Sequence, residues 1–181
     1  MWSWRPEILI PLALLGAAFT IGWWRLSRCS ANRLTPWRVT AALGGLTSIA
    51  LALLSPLDRL AHALFLAHMA KHMVIMMVAP PLLLLADPLP VQVWGLPRRV
   101  RLGVGKLLGA GAPLRRALQV LTWMPVAWLV FTFTLWVWHL PAVYDAAAGD
   151  AHLHDLEHLA FFWAGVLFWL MYSTNCRIPP E

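Results

Sequence analysis

Residues 60–86 read LAHALFLAHMAKHMVIMMVAPPLLLLA. A helix needs roughly 20 predominantly apolar residues to cross the hydrocarbon core of a bilayer, and this run exceeds that. Its middle carries two imidazoles, His68 and His72, together with Lys71 and four thioethers, Met69, Met73, Met76 and Met77. Ionisable groups inside a span are costly and normally face the interior of a bundle. The stretch therefore reads as a membrane helix that brings its own polar site. Pro80 and Pro81 should kink it or end it near its far side.

Four more apolar runs follow from the same reading, at about 8–24, 37–54, 120–140 and 156–172. Ser55-Pro56 stops the second of the five and Pro141 follows the fourth. The expected fold is all-α: one polytopic membrane bundle of about five transmembrane helices, a single domain over 1–181. Composition agrees. The 181 residues are 60% hydrophobic and 12% charged, about half the charge of a soluble domain. Residues 1–20 imitate a signal peptide, but the run continues to Trp23-Trp24-Arg25, which suits a retained helix. No separate soluble domain and no internal repeat is evident.

The formal charge of +6 does not point to nucleic acid, because the basic residues gather between apolar runs. Arg25, Arg28, Arg33 and Arg38 flank the first link; Arg98, Arg99, Arg101, Lys106, Arg115 and Arg116 fill the third; Arg177 follows the last span. Positive residues stay in the cytoplasm, so the amino terminus is expected outside and the carboxyl terminus inside. The long link 87–118 should carry a short surface helix at 98–108. Trp2, Trp4, Trp23, Trp24, Trp37, Trp138 and Trp169 suit interfacial belts. Cys29 and Cys176 stand alone, without a thiolate clamp spacing.

This topology puts all seven histidines at the outer side. His68 and His72, four apart, share one helix face. His154 and His158 repeat the spacing at the start of the fifth span, and His139 ends the fourth. Imidazole and thioether together suit copper, Cu(I) above all. The bland alternative is packing, since methionine is a common filler of apolar gaps. His62 and His152 read as rim or loop residues. Asp155 and Glu157 read two ways: as partners that fix imidazole tautomers, or as acids favoured at a helix start. Lys71 is neutral through burial, paired with an acid, or turned away; the sequence does not choose.

The motifs Ser55-Pro56-Leu57-Asp58, Ala67-His68-Met69, His72-Met73 and Met76-Met77-Val78-Ala79-Pro80-Pro81-Leu82 are followed in order by two more. These are Trp138-His139-Leu140-Pro141-Ala142-Val143-Tyr144-Asp145-Ala146 and Leu153-His154-Asp155-Leu156-Glu157-His158. Over about residues 55–172 the chain resembles the CtaG family of cytochrome c oxidase assembly factors. The resemblance implies a non-enzymatic, copper-binding assembly factor of the bacterial plasma (inner) membrane. It would deliver copper to a haem-copper oxidase at the periplasmic face, with oxidase subunits and a periplasmic copper donor as partners. It implies His68, Met69, His72, Met73, His139, His154 and His158 as metal positions. Two features depart from the family: members usually have about seven spans, and Lys71 stands where an uncharged polar residue is expected. Paired histidines also fit a b-type haem carrier, and the two HxxxH pairs fit a di-metal oxygenase. A structural accessory subunit of a respiratory complex is a further alternative.

Overall fold

The computed structural model describes residues 6–29, 36–55, 60–61, 63–86, 88–109 and 111–175. Among these, all regular structure is helical. Helix α1 is Pro6–Cys29 and α2 is Pro36–Leu54. Helix α3 spans Phe65–Leu85. Then come α4 (Pro88–Gly95), α5 (Arg98–Leu107), α6 (Pro113–Leu121), α7 (Met124–Trp138), α8 (Pro141–Gly149) and α9 (Ala151–Asn175). Helices α1, α2, α3 and α9 are each long and apolar enough to cross a membrane. Helix α7 has 15 residues, about 22 Å of rise, and falls short of the roughly 30 Å core. It qualifies only together with α6, from which it is bent by 70°. In place of the straight run expected at 120–140 stands this bent pair, a broken span or a re-entrant loop, giving four to five spans in all.

Helix α3 runs on past Pro80 and Pro81. Neither proline has an N–H, so the carbonyls of Met76 and Met77, four residues earlier, lose their α-helical donors. The chain absorbs this just upstream: Val74–Val78 is a π-helical turn, in which the Ala79 N–H reaches back five residues to the Val74 carbonyl. The Met76 carbonyl instead accepts from the indole Nε1 of Trp169 at 3.3 Å. Gly165, one turn earlier on α9, allows this approach. A Cβ there would lie 2.7 Å from the Met76 carbonyl oxygen. Helices α3 and α9 therefore meet main chain to main chain, over a buried core of Ala52, Ile75, Met76 and Phe161.

A second core of Phe19, Ala41, Ala42, Ala86 and Val91 joins α1, α2 and α4. Here too the backbones touch. A Cβ at Gly22 would fall 1.8 Å from the Val91 carbonyl oxygen, and one at Gly95 would fall 2.1 Å from that of Ala18. Small residues at such crossings let membrane helices pack by close contact. Arg25 donates to the Gly95 carbonyl at 3.4 Å, and Arg28 lies 3.8 Å over the Trp24 ring.

The basic surface helix expected at 98–108 is α5. It and α6 bury no residue. Gly111, at φ 85°, makes the turn between them, a conformation glycine adopts without strain. Cys176, Arg177, His62, Arg33, Trp2, Trp4 and the residues 56–58 of the first motif lie outside the described residues, as does the side chain of Cys29.

Candidate metal centre

Three helix ends converge. Helices α3 and α9 both begin at this end of the bundle, and α7 ends there, handing over to α8 through His139 and Leu140. Asp150 starts α9. Its Oδ1 accepts from the main-chain N–H of His152 at 2.7 Å and of Leu153 at 3.2 Å, the usual service of an N-cap carboxylate. These two donors, Leu153 foremost, hold the Asp150 carboxyl below the ordinary carboxylate range. The cap sets α9 about one and a half turns earlier than the expected 156, so His152 sits in its first turn and is exposed.

The cap also fixes where the α9 side chains point. The rings of His68 and His72 are in edge contact, 4.3 Å between centroids, and those of His154 and His158 likewise at 4.4 Å. The pairs face each other. His72 is 5.3 Å from His158, and His68 is 5.7 Å from His154. His139 stands 6.5 Å from His72. Phe161, fully buried, supports His72 from below at 4.5 Å, and Tyr144 of α8 meets His68 edge-on at 5.9 Å. Of the seven candidate metal positions, the five histidines are gathered.

The two thioethers are not. At about 100° per residue, Met69 and Met73 share one flank of the His68–His72 line and Lys71 lies on the other. Helix α9 packs on the Lys71 flank, so Met73 is left 56% exposed, with Met69 half-buried beside it. Met76 serves the core instead.

Glu157 takes a place that reasoning from sequence left undecided. It is buried, with Oε1 3.7 Å from His72 Nε2 and Oε2 3.3 Å from His154 Nδ1. His68, His72 and Glu157 each offer a donor atom, all within 4.8 Å of one another. Two donors that each bind one ion at about 2.0 Å can be at most about 4 Å apart, so the triad is nearly closed. The nitrogens of His72 and Nε2 of His158 are buried without a hydrogen-bond partner among the described residues. Such groups are rare unless something else satisfies them, and a cation would. The i,i+3 spacing of His154 and Glu157 was the visible signal for this carboxylate.

One tautomer follows from the contacts. His139 Nδ1 lies 2.7 Å from the Leu135 carbonyl. A carbonyl only accepts, so Nδ1 carries the proton and Nε2 keeps its lone pair, the arrangement of a metal-ready imidazole. His154 is engaged at both nitrogens: Lys71 Nζ is 3.3 Å from Nε2, and Nδ1 faces Glu157. Its ring stands between an amine and a carboxylate. His154 thus links Lys71 to Glu157. Lys71 itself is fully buried and turned toward the cluster.

The family model of the cytochrome c oxidase caa3 assembly factor, Caa3_CtaG, matches residues 17–180. The chain belongs to this family. No curated protein and no solved structure matches it. The Caa3_CtaG match takes in every residue of the cluster and reaches well ahead of the motifs at 55–172, into α1. As a caa3 assembly factor the protein associates with the oxidase it helps to build, from a multi-pass membrane position.

Proposed function

We propose that this assembly factor carries copper, as Cu(I), to the haem-copper oxidase, and that the ion is cargo and not a resident cofactor. One observation carries the reading: His68, His72 and Glu157 bring three donor atoms within 4.8 Å in a buried setting. His158 and His139 stand next to them as further imidazoles. Neutral imidazoles suit copper and add no charge to a site at membrane depth. A carrier must also release its ion. No turnover of a substrate is required, so we assign no enzymatic role.

The bias of the arginines favours an orientation with the amino terminus outside and the cluster opening away from the cytoplasm of a bacterial cell. Copper would then come from a periplasmic donor. Arg25 lies at the opposite end of α1 from Leu12, which borders an apolar cavity of about 350 Å³ shared with Asp155 and His158. The basic end and the imidazole end are therefore distinct.

The test is anaerobic Cu(I) loading of the purified protein in nanodiscs, beside His68→Ala, His72→Ala and His139→Ala. About one Cu(I) per chain, lost in the first two variants and weakened in the third, is expected. Undiminished binding in all three would remove the site. Sharp visible bands on reduction would identify a haem instead.

A further inference from the structure

Lys71 is 0% exposed. It lies one position from His72, and through His154 it is wired to the carboxylate that completes the donor triad, with both steps at 3.3 Å. Burying a lysine beside a cation site is costly unless it serves a purpose. The donors alone do not discriminate well. Two imidazoles and a carboxylate also form an ordinary Zn(II) set, and the soft thioethers that would favour Cu(I) lie on the far flank. Charge does discriminate. Were Glu157 balanced by a protonated Lys71, a singly charged ion would leave the pair and ion with one net positive charge and a doubly charged ion with two.

We propose that Lys71 is held as an ammonium and acts as a charge filter that makes the His68–His72–Glu157 site prefer a monovalent over a divalent metal ion. The proposal rests on the copper-carrier reading and adds the selectivity that the ligands lack. At an effective dielectric of about 20, one neighbouring unit charge shifts the relative affinity for the two valences by about tenfold to a hundredfold. Lys71 touches no ion in this scheme; it acts through space and through Glu157. If it served only to hold Glu157 in place, its loss would weaken all metals alike, so the ratio of affinities separates the two roles.

The experiment uses the full chain in nanodiscs, with chelator competition for Cu(I) under anaerobic conditions and for Zn(II). The wild type should prefer Cu(I). Lys71→Met should narrow that preference by about tenfold to a hundredfold, mainly by gaining Zn(II), and Lys71→Arg should keep it. Lys71→Gln, which can still donate to His154, replaces Lys71→Met should the latter not fold. An unchanged ratio in a folded neutral variant overturns the filter and leaves the copper reading intact. A wild type that prefers Zn(II) also overturns the filter. A wild type that holds no Cu(I) overturns both.

Discussion

The indole of Trp169 donates to the Met76 carbonyl across 3.3 Å, at a carbonyl that Pro80 leaves without its α-helical donor. A side chain on the last span thus stabilises a defect in the third. Trp169→Phe keeps most of the apolar body and removes the donor. It should destabilise the protein by about 1 kcal/mol. Thermal unfolding in nanodiscs would show this as a lowered midpoint; an unchanged midpoint would mean the contact contributes nothing.

Gly165 sits beside the same π-helical turn. Gly165→Ala would put a methyl group 2.7 Å from the Met76 oxygen and 3.0 Å from its Cα, both main-chain atoms that cannot swing aside. Overpacking of this kind costs about 1–3 kcal/mol. Because the turn lies directly below His72, the variant should also lose Cu(I) affinity. Gly149→Ala, with nothing within 4 Å of the new Cβ, should leave both stability and binding unchanged, and serves as the comparison.

Glu157 and Met73 make opposite predictions. Glu157→Gln preserves shape but removes the charge and half of the acceptors facing His72 and His154. Cu(I) affinity should fall by at least about tenfold. Met73→Leu changes a side chain that is 56% exposed on the flank away from the imidazoles and should bind Cu(I) like the wild type. Titration against a competing chelator reads both; a strong loss in Met73→Leu would mean that the thioether reaches the site.

Asp150 gives a pH dependence. Its carboxyl is held below the ordinary range by the main-chain donors of Leu153 and His152. The folded state therefore favours the carboxylate, so the contribution is present above the unfolded pKa, about 3.9, and disappears as pH falls through the lower, folded value. Asp150→Asn should melt below the wild type at pH 6, and the gap should narrow as the pH is taken down through and below the ordinary carboxylate range. A gap of constant size at all pH values would show that charge plays no part in this cap.

The spans were readable because hydropathy is a local signal, and four of the five runs became helices close to the expected limits. The break between α6 and α7 was hidden. Residues 120–140 are apolar on both sides of Thr122-Trp123, and hydropathy averages over a bend. The fate of Pro80-Pro81 was hidden for another reason: the group that satisfies Met76 is Trp169, far along the chain. The histidines were identifiable as a set by spacing and topology. Their partition was not, since only the packing of α9 on the Lys71 flank decides that Lys71 faces inward and Met73 outward. Glu157 showed a local cue in its spacing from His154, but its contact with His72 is purely tertiary.

At the other end of the bundle, Gly22 and Gly95 press against the facing main chain so closely that even a methyl group is refused on either helix. Such a joint offers no gradual path of variation. In a saturation library selected for a folded protein, both positions should reject every other amino acid, while Gly103 and Gly105 on α5, which have open space around them, should accept most. The fastening of α1 to α4 thus depends on what two residues lack, and the room for adaptation lies on the surface helix that follows.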